Sequence, residues 1–236
     1  MNIDLLLSFL KNTLNGPISI SLLADETRTS KTVIRQTILH LAQSGFITNM
    51  EGDEFSIIGN ERLNLAVLAI REGADVERVS KVLGWSEFED LVALILEQHG
   101  FNVKKHFRLK ASGKRYEIDV IGLKEPFALS VECKHWKRSW RRAATIEVIN
   151  VQRERTKALI QSIPEPKDRL KISKWREVKV IPLILTLSDT PLKLYEGTAV
   201  VPIFHFNSFL NEMQHYMDEL IILSSAKLVK QDVLNM

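Results

Sequence analysis

The chain contains a single cysteine, Cys133, and no apolar run long enough to cross a bilayer. A lone thiol excludes an internal disulfide framework and cannot by itself build a zinc cluster. A reducing compartment is therefore the expected setting, while the six histidines leave other metals open. A membrane-spanning helix needs about 20 consecutive apolar residues. The longest apolar stretches fall short of this, and one of them, Val178 to Leu187, is interrupted by Pro182. The opening segment MNIDLLLSFLKN lacks the basic region and the cleavage site of a secretory leader, so the expectation is a soluble, cytoplasmic protein with no membrane association. Internal repeats and low-complexity tracts are also missing.

What is present is enough apolar material for a real core: 45% of 236 residues, room for one large domain or two modest ones. The formal net charge of +3 is unevenly spread. Residues 1–83 carry 8 basic and 10 acidic side chains, net −2, whereas residues 84–236 carry 24 and 19, net +5. A basic excess in one part is what a polyanion-binding surface produces, although an ordinary solvated surface produces it too.

Along the chain, Ile3, Leu6, Leu7, Leu10 and Leu14 recur at helical spacing until Asn15-Gly16-Pro17 stops them. A short second helix follows over Ile20 to Glu26. Ser30 is a natural N-cap for a third helix, with Val33, Ile34, Ile38, Leu41 and Ala42 on its apolar side and Gly45 closing it. Strand, turn and strand are predicted over Phe46 to Met50, Glu51-Gly52-Asp53 and Glu54 to Ile58. Over residues 3–58 this pattern resembles the winged helix-turn-helix family, whose third helix usually lies in the DNA major groove. That resemblance implies a groove-facing role for Lys31 and Arg35, with Gln36 nearby. The acidic balance of the segment leaves partner docking or dimerisation equally open. Two further helices, Asn60 to Arg71 and Val76 to Leu83, read as a helical linker over residues 59–84. A second domain is then expected over residues 85–236.

That second domain reads as α/β. An amphipathic helix, Glu87 to His99, precedes strands around Phe101 to Leu109, Tyr116 to Leu123 and Phe127 to Cys133. A charged helix over Thr145 to Gln161, strands over residues 178–187 and 199–203, and a closing helix over residues 208–223 complete it. The tripeptide Glu-x-Lys occurs three times, at Glu132, Glu165 and Glu177, so by itself it says almost nothing. The second lies between prolines, and the third has no acidic strand directly before it. The first ends an apolar strand and follows a strand bearing Glu117-Ile118-Asp119-Val120. Period-two geometry puts Glu132 and Lys134 on one face and Cys133 on the other, and an antiparallel neighbour can bring Asp119 alongside. Two carboxylates from adjacent strands plus a backbone carbonyl form a hard oxygen site suited to Mg²⁺, with Mn²⁺ as its natural substitute. An ammonium beside it could orient a water or stabilise a phosphorane-like transition state. The bland reading is a hairpin with a surface ion pair. Against that reading, both acids sit in apolar strand sequence, where an unpaired charge is costly.

The order Trp85-Ser86-Glu87-Phe88-Glu89, Tyr116-Glu117-Ile118-Asp119-Val120 and Val131-Glu132-Cys133-Lys134-His135-Trp136 resembles the PD-(D/E)XK nuclease superfamily over about residues 85–160. The likeness is to Mrr-like restriction endonucleases in particular and, more distantly, to archaeal Holliday-junction resolvases. The resemblance implies a restriction endonuclease-like mixed sheet flanked by helices. It also implies a divalent metal held by Asp119 and Glu132, a water assisted by Lys134, and a further helix carboxylate at Glu89. Ile118 stands where the family name has Pro. Gln152 matches a glutamine found in Mrr-like members. Past the site, Lys137, Arg138, Arg141 and Arg142, interleaved with Trp136 and Trp140, are expected to hold phosphates, or else to form a solvated loop anchored by an indole. Lys104, Lys105, Arg108, Lys110, Lys114 and Arg115 flank the preceding hairpin and carry the same two readings. The resulting expectation is a metal-dependent DNA endonuclease, a homodimer, with a helicase or repair partner docked through the winged helix. The alternative is a non-catalytic DNA-binding or regulatory protein that keeps the nuclease-like domain as a scaffold.

Overall fold

The computed structural model describes residues 2–47, 49–135, 141–163 and 169–224. It divides into two compact units, residues 1–90 and 91–236. Among the described residues no helix is long and apolar enough to cross a membrane.

In the first unit, α1 (Ile3–Asn12) is capped by Asn2, whose side chain accepts from the Leu5 N–H at 3.2 Å, and it buries Leu5, Leu6, Phe9 and Leu10. The strand β1 (Ile18–Ser19) leads into α2 (Ile20–Thr27), which ends where Arg28 turns left-handed at φ 52°. Ser30 then caps α3 (Lys31–Gln43) through the Val33 N–H. The buried side of α3 is Ile34, Ile38 and Leu41, whereas Val33, expected there, is exposed. Strands β2 (Asn49–Glu51) and β3 (Glu54–Ser56) form a hairpin, and β1 adds to the other edge of β3 to give the antiparallel order β1-β3-β2. Then come α4 (Asn60–Arg71) and α5 (Val76–Val82). Arg62 on α4 is buried, and its charge is met by Glu87, the Leu10 carbonyl at 2.8 Å and the Thr13 hydroxyl at 2.7 Å. A buried guanidinium satisfied on several sides locks its neighbours in place.

The helix α6 (Trp85–Gln98) runs into the second unit. There β4 (Asn102–Ala111), β5 (Lys114–Lys124) and β6 (Phe127–Lys134) form an antiparallel meander. The long helix α7 (Arg142–Ser162) then returns the chain to β7 (Lys179–Thr186), parallel to β6. Beyond it lie β8 (Leu194–Tyr195), β9 (Thr198–Pro202, parallel to β7), α8 (Phe206–Glu212) and β10 (Leu223–Ser224). The mixed sheet has the order β4-β5-β6-β7-β9-β8, with β10 beside β7. Gly122 on β5 shows why α6 can lie close: a Cβ there would meet the Leu96 side chain at 3.2 Å. The other face packs on α7, where Ile121, Leu123 and Ala128 meet Ala158 and Leu159. This two-sided cover explains the near-continuous burial of β6 and β7.

The expected closing helix over residues 208–223 is shorter in the structure. It stops at Glu212, becomes a 3₁₀ turn over Met213–Tyr216, and gives way further on to β10. The Ile221 N–H donates instead to the Gly197 carbonyl at 2.7 Å, which draws the chain away from the helix axis.

Candidate active site

Asp119 owes its position to strand pairing. The β5/β6 ladder runs from Lys124↔Phe127 to Val120↔Val131, and one more step sets Asp119 level with Glu132. On the other side of β5, the pairs Lys105↔Val120 and Phe107↔Ile118 flank His106, which faces Asp119 in that register and has a positive φ of 49°. An L residue in that conformation is a local strain, and such strain gathers at functional sites. The Asp119 side chain accepts the Cys133 N–H through Oδ2 at 2.8 Å. The carboxylate is therefore pinned across the two strands, directly beside the Glu-x-Lys segment.

On β6, Glu132 is 3% exposed, so the bland reading of a solvated surface pair does not describe it. Its Oε1 lies 2.7 Å from the Lys134 ammonium, and its Oε2 pairs with the Arg155 guanidinium from α7. Asp119, 8% exposed, is pushed up to about 6, chiefly by burial and then by the nearby charge of Glu132. The Cys133 N–H, Arg155 and Lys134 oppose that rise. The raised value is the electrostatic signature of two carboxylates sharing a small, poorly hydrated space.

α7 contributes more than packing. Thr145, Ile149, Gln152, Thr156 and Leu159 recur every three or four residues and are fully buried, and three of the five are polar. The Gln152 amide donates to the Ser130 carbonyl at 2.6 Å and sits 3.2 Å from its hydroxyl, two residues before Glu132 on the same strand face. Among the described residues, the Gln152 Oε1 is buried without a partner, an open acceptor on the inner side of α7. Arg155, one turn on, is the site residue that sequence reasoning missed. In a segment reading Arg153-Glu154-Arg155-Thr156-Lys157 it looks like one solvated charge among several. The available signal was its three-residue spacing from Gln152.

Asp119, Glu132 and Lys134 are thus brought together. Glu89 is buried on α6 and belongs to the first compact unit. Arg141 and Arg142 are exposed at the start of α7, whereas Lys137 and Arg138 lie outside the described residues. In the first unit, Arg35 is paired with Asp53 at 2.6 Å and the Lys31 ammonium reaches the Ser21 hydroxyl at 2.8 Å.

Residues 80–162, which carry this arrangement, match the family model described as "Restriction endonuclease" (Mrr_cat). An uncharacterized protein of Archaeoglobus fulgidus is 29% identical over 138 residues, covering 57% of this chain and 95% of its own length. Among solved structures, a protein of unknown function, AF1548, overlays with a TM-score of 0.35 at 17% identity, over 56% of this chain and 67% of that one. The protein VC1899 from Vibrio cholerae overlays with a TM-score of 0.35 at 10% identity over 92% of this chain, which spans about half (51%) of that longer protein. The strands β4, β5 and β6 with the helices α6 and α7, and the two buried acids and lysine at the junction of β5 and β6, therefore lie in a stretch similar to restriction endonucleases.

Proposed function

We propose that the chain is a divalent-metal-dependent DNA endonuclease acting through Asp119, Glu132 and Lys134. The observation that carries this reading is the pair of buried carboxylates on neighbouring strands, close enough that the charge of Glu132 opposes the ionisation of Asp119, with an ammonium 2.7 Å from Glu132. The donor set fits a hard cation. Two carboxylates, together with the Cys133 carbonyl and waters, suit Mg²⁺, and Mn²⁺ accepts the same ligands. When bound, such an ion supplies Lewis acidity at the scissile phosphate and lowers the pKa of an attacking water. Asp119 and Glu132 hold it, and the Cys133 N–H keeps Asp119 aimed across the strands. Lys134 places positive charge beside Glu132, where it orients the water or stabilises charge growing on the phosphate oxygens. Arg155 and Gln152 position β6 and its glutamate. Glu89 is proposed as an auxiliary carboxylate, and Arg141 and Arg142, at a helix N-terminus that itself favours anions, as phosphate contacts, with Lys137 and Arg138 in the same role. Cutting both strands calls for a homodimer.

The first 58 residues are proposed as a winged helix. With Arg35 engaged by Asp53 and Lys31 by Ser21, and with Leu22, Val33 and Leu39 exposed, docking of a helicase or repair partner is the better supported role for it.

The test compares wild type with Asp119→Ala and Lys134→Ala on labelled linear, flapped and branched DNA, with Mg²⁺, Mn²⁺ or EDTA. Cleavage by wild type alone, abolished by EDTA, is the expected result. Equal cleavage by all three proteins would trace the activity to a contaminant and remove the proposal's support.

A further inference from the structure

The outer end of the β4–β5 hairpin forms an open groove whose lining includes Arg108, Lys110, Arg115, Tyr116, Glu117 and Arg169. Among the described residues, four cations and one carboxylate line it. The carboxylate is already taken, since Arg108 Nε lies 2.7 Å from Glu117 Oε2 and His106 approaches the other oxygen at 3.7 Å. The Glu117 carboxyl is held below its ordinary value, with the Arg108 hydrogen bond as the largest cause. Among the described residues that line the groove, no second acid meets Lys110, Arg115 and Arg169.

Two features make this more than a solvated hairpin tip. Lys110 and Arg115 are direct cross-strand partners, and like charges so placed destabilise a hairpin. Arg169 comes from far along the chain and is fixed in place. It donates to the Arg108 carbonyl at 2.7 Å, and its guanidinium lies 4.5 Å from the centre of the Phe107 ring. A fold that concentrates positive charge against its own stability, and anchors one of the cations by stacking, has prepared a site for an anion.

The groove also points at the candidate centre. Glu117 and Asp119 are two residues apart on β5, and the charge of Arg155 acts on both. From Arg115 to Asp119 the strand covers roughly 13 Å, a few nucleotides' rise along the axis of a duplex at about 3.4 Å each. We infer that this groove binds the phosphodiester backbone of the substrate a few nucleotides from the point of cleavage, with Lys110, Arg115 and Arg169 on phosphate oxygens and the Tyr116 ring at the groove wall. The inference rests on the endonuclease reading and extends it from where the strand is cut to where it is held.

The test measures binding of a labelled DNA duplex by fluorescence anisotropy across a salt series, using the full chain carrying Asp119→Asn to prevent cleavage. Lys110→Ala/Arg115→Ala, both at exposed positions, is compared in that background with Lys81→Ala. The groove variant is expected to weaken binding about tenfold or more and to reduce the slope of log K against log salt by about 2, while Lys81→Ala changes neither. Arg169→Ala should act in the same direction, and melting curves check that each variant is folded. If the parent binds DNA while the groove variant binds equally well with the same slope, the groove assignment is overturned and the catalytic reading stands. If the parent binds no DNA even at roughly 50 mM salt, the endonuclease reading falls and the groove falls with it.

Discussion

Two copies of one tripeptide, one ending β6 and the other leading into the parallel neighbour β7, have become different objects. Glu132 and Lys134 end β6 in the interior, with the acid almost sealed from water, joined by Asp119 from one side and Arg155 from the other. Glu177 and Lys179 stand at the entry to β7, 3.6 Å apart, each more than a third exposed, and Glu177 also accepts the Ser224 hydroxyl. Residue type and spacing are identical. Burial and neighbours decide which pair has its charges concentrated by a low dielectric and which has them dispersed by solvent.

The strongest way to break this comparison is to delete each pair in turn. Glu132→Gln or Lys134→Ala should reduce DNA cleavage by on the order of a thousandfold, as expected when a charge aimed at the reacting phosphate is removed. Glu177→Gln/Lys179→Ala should stay within about twofold. Initial rates on a labelled duplex decide it, and comparable losses in both would sink the distinction.

A second contrast is in pH dependence. The Asp119 carboxyl is raised from 3.8 to about 6, so the native state holds its proton through a window in which the unfolded chain has lost it. Stability should therefore fall as pH rises from about 4 to 6 and stay low above that, a loss of roughly 3 kcal/mol for a shift of about two units. Asp119→Asn should raise the melting temperature at pH 7.5 far more than at pH 4, and a gain equal at both would contradict the assigned environment. Added Mg²⁺ should stabilise wild type at pH 7.5 and leave Asp119→Asn nearly unmoved.

Arg155→Ala leaves a buried glutamate with one cation fewer and should cost about 2 kcal/mol in denaturant unfolding without metal. Mg²⁺ should recover part of the loss by taking over the vacated charge. The smallest effect belongs to the exposed pair: Lys179→Ala should change stability by no more than about 0.5 kcal/mol, and a larger value would show that Glu177 depends on it.

Much of this was legible in advance because β5 and β6 announce themselves through apolar composition and turn residues at both ends. The alternation of Glu132, Cys133 and Lys134 then fixes which side chains share a face. Arg155 was hidden because a cation within a charged helix carries no mark of its partner, and its partner lies 23 residues away on another element. The two-residue strand β1 is too short to show any period. The early end of the closing helix depends on Ile221 meeting Gly197, a contact that no local pattern encodes. Local rules found the framework, and long-range pairings supplied the rest.

The change of direction within the sheet has a further consequence. Neighbours that point the same way, as β6 and β7 do, cannot be joined by a tight turn, so the chain must make a long excursion over one face before it re-enters. Here that compulsory detour contains α7, and it sets Gln152 above Ser130 and Arg155 above Glu132. The connection is structural plumbing and chemical ceiling at once, so an insertion that rotated α7 by a fraction of a turn would preserve every strand and still uncouple the acids from the groups that aim them.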